Sequence, residues 1–339
     1  MKEESSNSQH PSDKDQQQNP TVLTRLFRTI ALLATIGTIC AWLSMQWWVF
    51  ELASHFRFQI GLGFLVCTFF FVIQRHIPQA IFCTVMLLHH GFAVAPAWIA
   101  KPAPRPNGPI ITGLLANVEG INRNHKALLD LIQQQKPDLI ILVEVRHHWS
   151  RAIQPLRKTY RHVQVLPRRD NFGLAVLSKY PITSAKYLPL GTDNLPTLQA
   201  HIRIRKKQLV LFATHFDPPI SQLAAQFRNE QAEQLAQQAK NTKLPTMICG
   251  DLNMSPWSPY FTKLLGQSGL QDSRKGFGLQ SSWPTKIPLL LTPIDHILHS
   301  PTIRIVKREI GPSIGSDHYP VLFAFQFSST ASPTTQTEK

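Results

Sequence analysis

The chain has 339 residues and a formal net charge of +15, from 35 Lys and Arg against 20 Asp and Glu. Residues 1–103 hold 7 basic and 5 acidic residues, a net charge of +2, and the remainder holds 28 and 15, a net charge of +13. A basic C-terminal part favours nucleic acid, phospholipid headgroups or phosphorylated small molecules as partners, although solubilising charge is the alternative explanation. The four cysteines lack the spacing of a zinc site or a disulfide framework, which argues against both.

Three apolar runs follow a polar N-terminal segment. Residues 1–28 are expected to be disordered, because they are largely polar and start without a hydrophobic period. The runs lie at 29–50, 58–74 and 79–98, and the first is long enough to cross a bilayer core of ~30 Å. A cleaved signal peptide has a single apolar region of ~7–15 residues. The sequence therefore predicts a membrane anchor of about three helices, the third being the weakest because it holds two histidines and a proline.

The orientation of these runs is close to a tie by the positive-inside rule. Arg25 and Arg28 precede the first run and Arg75 follows the second, whereas Glu51 offsets Arg57 in the first loop. With the N-terminus in the cytoplasm, three spans place the large domain on the non-cytoplasmic side. Two spans reverse that conclusion.

A proline-rich linker at 99–109 leads into a second region, 110–327, and a polar tail at 328–339 is expected to be disordered. The linker should hold the domain slightly clear of the bilayer. Strands are predicted at 110–116, 138–143, 172–178, 198–205, 208–214, 245–250, 293–298 and 321–327, and helices at 125–135, 222–240 and 256–265. The hairpin turned by Lys206-Lys207 argues against a purely parallel sheet.

Polar residues gather where the predicted strands end. The clearest case is the run 247–253, in which Gly250 is followed by Asp251 and then Asn253, two residues apart and so on one side of a strand. A turn is the alternative, because Ser255-Pro256 comes next. The other strand-end residues are Asn117, Glu144, His215, Asp295, Asp317 and His318. Together they predict a common cleft, since strand ends at one edge of a sheet lie side by side.

These residue types indicate a particular chemistry. Carboxylate and amide oxygens without cysteine suit Mg²⁺ or Mn²⁺, and two histidines add proton transfer or contacts to phosphoryl oxygens. No serine lies in a nucleophile-elbow context, and no glycine-rich phosphate loop precedes a helix. The inventory fits a metal-assisted attack of water on a phosphoester better than covalent catalysis.

Six segments of the second region resemble the endonuclease/exonuclease/phosphatase superfamily, in its order. They are ILVEV at 141–145, GLAVLSKYPI at 173–182, Thr214-His215, GDLN at 250–253, PIDHIL at 293–298 and SDHYPV at 316–321. That superfamily includes deoxyribonucleases, abasic-site endonucleases, neutral sphingomyelinases and inositol polyphosphate phosphatases. The resemblance implies an α/β fold of two mixed β-sheets packed as a sandwich and flanked by helices. With its N-terminal runs the chain is similar to the membrane-anchored bacterial branch, which implies a multi-pass inner-membrane protein.

The resemblance also implies a metal site. Glu144 is expected to be the principal ligand of Mg²⁺, or of Mn²⁺, with Asn117 and Asp317 close to the metal or the phosphate. The family often carries Gln before the metal glutamate, whereas this chain has Val143, so one contact to the substrate or around the metal is missing.

The remaining site residues are expected to act on the reacting groups. By the same resemblance, Asp251 orients and deprotonates the attacking water, and Asn253 helps to place the water or the phosphate. His318, oriented by Asp295, contacts the phosphoryl oxygens as a general base or as an electrostatic stabiliser. His215 lies near the leaving or a non-bridging oxygen, and the sequence identifies no carboxylate partner for it.

The sequence thus predicts a membrane-anchored, Mg²⁺-dependent phosphoesterase, foremost a phosphodiesterase or endonuclease acting on nucleic acid. The basic stretch 146–169 and the +13 domain favour nucleic acid. One alternative is a phospholipid or inositol- or sugar-phosphate phosphoesterase at the membrane surface, where a tethered site meets headgroups at high effective concentration. The other is a catalytically silent membrane scaffold.

Overall fold

The structure, a computed structural model, describes residues 21–99 and 108–328. Three sequence predictions fall wholly or mostly outside these ranges: disorder over 1–20, most of the linker at 99–109, and all but the first residue of the tail at 328–339. Disorder was also expected for residues 21–28, and here the prediction is wrong. Val22 begins a helix, because Thr21 caps it by accepting a hydrogen bond from Thr24 N at 3.2 Å.

Four helices form the N-terminal region: α1 (Val22–Trp42), α2 (Trp48–Ser54), α3 (Arg57–Ile73) and α4 (Ile77–Val94). The first apolar run is therefore divided between α1 and α2, with a turn at 43–46. Among the described residues, two helices are long and apolar enough to span a membrane: α1, and α4 extended to Ala97. Helices α2 and α3 pass that test only as a pair, bent by 60°. The third run, expected to be the weakest, is thus one of the two clear candidates, and three spans remain a prediction.

Twelve strands and four further helices form the second region. The strands are β1 (Ile111–Asn117), β2 (Leu139–Val143), β3 (His162–Leu166), β4 (Leu174–Ser178), β5 (Ile182–Leu190), β6 (Leu195–Ile204), β7 (Lys207–His215), β8 (Thr246–Asp251), β9 (Gln271–Asp272), β10 (Asp295–His299), β11 (Ile303–Ile310) and β12 (Val321–Phe327). The helices are α5 (His125–Gln135), α6 (His147–Ala152), α7 (Gln222–Lys240) and α8 (Pro259–Ser268).

The strands form two six-stranded sheets, ordered β11-β12-β1-β2-β4-β3 and β5-β6-β7-β8-β10-β9. Both sheets are mixed, because β1 runs parallel to β2 and β7 runs parallel to β8 while the other neighbours are antiparallel. Apolar side chains from both sheets form a shared core. Helix α5 packs on the outer face of the first sheet, and α7 and α8 pack on that of the second. The predicted helix–sheet–sheet–helix sandwich is confirmed.

The strands that the sequence failed to predict are the sheet edges. These are β3, β5, β9 and β11, the first and last strands of the two orders. An edge strand is covered on fewer sides, so its side chains need not form an apolar run. In β5 four consecutive residues are exposed, and Pro189 is tolerated because an edge strand leaves backbone N–H groups unpaired.

The N-terminal helices pack directly against the second region, and the expected clearance between the domain and a bilayer stays a prediction. Trp257 Nε1 donates to Ala93 O at 3.1 Å, and Gln59 Nε2 donates to Leu291 O at 2.8 Å. Glu51, expected to offset Arg57, instead pairs with Arg228 of α7. The reason is physical: polar groups at the ends of α2–α4 find hydrogen-bond partners on the domain and not in lipid.

Gly250 permits the close approach of β7 and β8. A Cβ added there would lie 1.8 Å from Thr214 O on the neighbouring parallel strand. We expect Gly250→Ala to lower the free energy of unfolding by about 1–3 kcal/mol or more, because the two strands must separate. Chemical denaturation of the purified chain measures this. The control is Gly266→Ala in α8, where nothing lies within 4 Å and helix propensity favours alanine. Equal stability of both variants would contradict the packing argument.

Candidate active site

The predicted strand-end residues meet at one edge of the sandwich. Asn117 ends β1 and Glu144 follows the parallel neighbour β2. His215 ends β7 directly beside Asp251, which ends the parallel strand β8. Asp295 begins β10 opposite Asp251 in the antiparallel register. In each sheet, parallel pairing therefore places the carboxyl ends of two strands side by side. The packing of the two sheets brings these two pairs of strand ends together.

The side-chain amide of Asn117 connects the two sheets. Its Nδ2 donates to Glu144 Oε1 at 2.9 Å and to Asp251 Oδ2 at 3.1 Å. Its Oδ1 accepts the Glu119 N–H at 3.0 Å, which fixes which way the amide faces. Asn117 is 1% exposed, so these contacts are made away from water. A buried amide thus holds two carboxylates close to each other.

Glu144 occupies a turn directly after β2, with φ of +62°. A non-glycine residue rarely adopts this left-handed conformation, and the turn directs the carboxylate into the cleft. Its Oε2 accepts the Gly120 N–H at 2.9 Å, and its side chain is 13% exposed. A carboxylate that is fixed by these hydrogen bonds and keeps partial exposure, next to the Asp251 carboxylate, fits a hard divalent cation.

Asp317, the third predicted metal ligand, accepts a hydrogen bond from a tryptophan. Its Oδ2 accepts Trp283 Nε1–H at 3.1 Å, and its N–H donates to Glu119 Oε2 at 3.1 Å. Within the described residues, a different trio, Asp251, Asp295 and His318, brings ligand atoms within 4.8 Å of one another. His318 Nδ1 is already hydrogen-bonded to Asp295, so we regard this trio as a hydrogen-bonded group and not as the metal site.

His318 lies between two buried carboxylates. Its Nδ1 is 2.7 Å from Asp295 Oδ2, and its Nε2 is 3.5 Å from Asp251 Oδ2. Burial acts to lower the pKa of His318, but Asp295 and Asp251 raise it to about 10. Burial likewise acts to raise the pKa of Asp251, but His318 and His215 lower it to about 2. The protonated imidazole and the ionised carboxylates therefore stabilise one another.

The partner of His215, which the sequence did not identify, is Asp251. His215 Nε2 lies 3.6 Å from Asp251 Oδ2 and 4.0 Å from Glu144 Oε1. Its Nδ1 lies 2.7 Å from Asn171 O, so Nδ1 carries the hydrogen and donates. Burial opposes protonation, yet the Asp251 carboxylate raises the pKa of His215 above its usual value. The predicted neighbour Asn253 donates from Nδ2 to Phe216 O at 2.8 Å, on the same side of the cleft.

Sequence reasoning missed three contributors to the site. They are Glu119, Asn171 and Trp283, which contact Asp317 or His215 as described above. Glu119 follows β1 with φ of +53° and lies two positions after Asn117, so it could have been found by extending the search for strand-end polar residues by two positions. Asn171 and Trp283 lie in loops distant in sequence, and only the fold brings them to the cleft.

The raised pKa of His318 makes a prediction about stability. Because folding raises this pKa from 6.5 to about 10, the stabilisation is fully present below pH 6.5 and is lost as the pH rises through about 10. Thermal unfolding of the chelator-treated chain between pH 7 and 10 should show a falling midpoint. His318→Gln should give a flatter profile over that range. Parallel profiles for the two chains would show that His318 is not the group that titrates.

The profile of the Endonuclease/Exonuclease/phosphatase family matches residues 114–318, well over half of the chain. No curated protein matches. Similar solved structures include an endonuclease/exonuclease/phosphatase from Beutenbergia cavernae, at 18% identity and a TM-score of 0.53, covering 66% of this chain and 72% of that one.

Two further solved structures are matched over their whole length. The human Nocturnin catalytic domain with bound sulfate has 19% identity and a TM-score of 0.55, over 67% of this chain and 100% of that one. D. rerio TDP2 complexed with a single-strand DNA product has 16% identity and a TM-score of 0.56, over 65% and 100%. At these identities the likeness shows the fold alone. The family match and the fold agree: the chain belongs to the endonuclease/exonuclease/phosphatase family, whose members are metal-dependent hydrolases of phosphoester bonds.

Proposed function

We propose that this chain is a membrane-anchored, Mg²⁺-dependent phosphodiesterase that uses water as its nucleophile. The observation that carries the proposal is the Asp251 carboxylate, held between His215 and His318 and joined to Glu144 through the Asn117 amide. The family supplies the reaction class. The membrane anchor rests on the apolar helices α1 and α4.

Glu144 is the proposed principal ligand of the metal. Asn117 and Asp317 belong to the same proposed set, and all three offer oxygen, which Mg²⁺ prefers; Mn²⁺ accepts the same ligands. When bound, the metal supplies positive charge next to the phosphoryl oxygens, where negative charge develops. The ligand set stays a prediction, supported by the partial exposure of the Glu144 carboxylate and by its place beside Asp251.

The attacking water is assigned to Asp251. With its pKa lowered to about 2, this carboxylate stays ionised and accepts a hydrogen bond from the water. It takes the proton as the new P–O bond forms and the water becomes acidic. Asn253 N–H donates to Asp251 Oδ1 at 2.9 Å and so fixes the direction of the carboxylate.

The two histidines act on the phosphoryl group. A His318 whose pKa is raised to about 10 already holds its proton near neutral pH, so it cannot accept one from water. We therefore assign it as an electrostatic stabiliser and not as the general base. His215, whose pKa is also raised, can give the Nε2 proton to the leaving oxygen as the second P–O bond breaks.

Loss of either key carboxylate should abolish turnover. We expect Glu144→Ala and Asp251→Asn each to lower Mg²⁺-dependent nicking of supercoiled plasmid by about 10²-fold or more, because the metal ligand or the water-orienting group is lost. Nicking is measured on gels with the purified full chain. The control is Asp130→Asn, which removes one half of an exposed pair with Lys126. Activity retained in both site variants would contradict the mechanism.

Nucleic acid is the substrate that the charge distribution supports. The basic stretch 146–169 runs from Arg146, whose Nη2 donates to Asn171 Oδ1 at 2.9 Å. Asn171 in turn accepts from His215, so basic side chains begin at the edge of the cleft. Basic side chains near the cleft can bind the flanking phosphates of a polyanion, and such binding weakens with salt.

A second candidate, a membrane phospholipid, is supported by the loop 286–290. Ile287, Leu289 and Leu290 in this loop are 50%, 72% and 38% exposed. The loop is tied to the cleft because Thr285 N donates to Asp317 O at 2.9 Å. It is tied to the membrane helices because Thr292 Oγ1 donates to His55 O at 3.0 Å. Exposed apolar residues between the bend that joins α2 to α3 and the site can contact lipid.

A charge placed in this loop distinguishes the two substrates. If lipid is the substrate, Leu289→Glu should lower the release of phosphorylated headgroup from liposomes about tenfold or more, because a carboxylate resists entry into the interface. Plasmid nicking by the same variant should not change. The matched control is Leu244→Glu, also exposed but preceding β8 at the end remote from Asp251. Plasmid nicking without any headgroup release by the wild type would exclude lipid.

A further inference from the structure

A buried ion pair joins the membrane helices to the catalytic domain. Glu51 of α2 is 1% exposed and Arg228 of α7 is 0% exposed. Arg228 Nη2 lies 2.5 Å from Glu51 Oε2, and Glu51 Oε1 accepts the hydroxyl of Ser258 at 2.6 Å. Glu51 is the one carboxylate between residues 21 and 99 of the sequence. Both of its oxygens therefore bind to the catalytic domain.

Arg228 extends this contact to the candidate active site. Its Nη1 donates to Asn253 O at 3.2 Å, and its Nε and Nη2 donate to Asn229 Oδ1 at 3.1 and 2.7 Å. Asn253 has φ of +48°, a conformation that non-glycine residues keep only when their surroundings hold it. The N–H of Asn253 donates to Asp251. Asn253 is thus held by Asp251 on one side and by Arg228 on the other.

The position of Arg228 depends on Glu51. A buried guanidinium is costly unless it is paired with a carboxylate and its N–H groups find acceptors. Its planar fork can serve Glu51, Asn229 and Asn253 at once, which a point charge cannot. Without the Glu51 carboxylate, the cation is left uncompensated in the interior and is drawn toward water. Such a movement withdraws the donor from Asn253 O.

We propose that Glu51 is a positioning residue for phosphoester hydrolysis, acting through Arg228 on Asn253. The inference rests on the proposed role of Asn253 beside the water-orienting Asp251. The membrane region is then part of the support of the active site, and not only a tether. Full activity requires that α2 be docked on α7.

The test uses the full chain purified in detergent. Turnover of the soluble diester bis(p-nitrophenyl) phosphate is measured with Mn²⁺ and divided by the number of Mn²⁺ ions bound per chain. Glu51→Gln keeps the size of the side chain but removes its charge. We expect kcat per bound Mn²⁺ to fall threefold or more with KM unchanged, because Asn253 acts on the water and not on substrate binding. Normalising to bound metal removes any loss that comes from unfolded protein.

The matched control is Glu233→Gln, on the same helix. It removes an exposed pair in which Lys263 Nζ lies 2.9 Å from Glu233 Oε2, so α7 and α8 lose an ion pair that includes neither Arg228 nor Asn253. This variant should match the wild type. A Glu51→Gln chain whose kcat per bound Mn²⁺ falls less than threefold overturns the inference.

A second variant decides the matter if Glu51→Gln does not bind Mn²⁺. Arg228→Lys keeps a cation beside Glu51 but cannot reach all the acceptors of the guanidinium. A fall of threefold or more per bound Mn²⁺ supports the inference, and a smaller fall overturns it. Loss of Mn²⁺ binding in both variants also overturns it, since the pair then holds the fold as a whole. A wild type without turnover contradicts the proposed function itself, whereas an active wild type with an unchanged variant contradicts this inference alone.

Discussion

The hydrogen bonds of the Asn117 amide are the contact on which the site depends. One NH₂ group donates to Glu144, which follows a strand of the first sheet, and to Asp251, which ends a strand of the second. Two carboxylates placed together in a buried cleft repel each other unless donors or cations lie between them. Asn117 supplies the donors and protonated His318 supplies a cation. The two sheets must therefore align at this edge for two reasons: to pack their apolar faces, and to keep the donors and the cation next to the two carboxylates.

The same requirement extends to the N-terminal helices. Glu51, Ser258 and Arg228 form a buried polar group between α2 and the catalytic domain, where an apolar contact would have been simpler. Buried ion pairs add little net stability, but each partner is costly when left alone. The pair therefore disfavours any arrangement that separates α2 from α7. The hydrogen bonds of Trp257 and Gln59 also join the N-terminal helices to the domain.

Periodicity predicted the interior of the sandwich and failed at its edges. The eight predicted strands are the inner members of the two sheets, and both α5 and α7 have the predicted bounds. Inner strands are covered on both sides and mostly on both faces, so most of their sequences are apolar runs, and β6 alternates apolar with polar residues. Edge strands such as β5, with four exposed residues in a row, carry no such signal. In the membrane region, composition found the apolar runs but not the turn at 43–46 that divides the first one.

The sequence alone determined which residues could perform the chemistry, because strand-end carboxylates, amides and histidines are visible as interruptions of apolar runs. It also determined the family, through motifs at Glu144, Asp251 and His318. Only the tertiary structure decided their pairing: that Asp251 is the partner of His215, that Trp283 binds Asp317, and that Glu51 belongs to Arg228 and not to Arg57. The physical reason is distance along the chain. Periodicity reports local burial, whereas the partner of a buried charge is chosen by how sheets and helices pack.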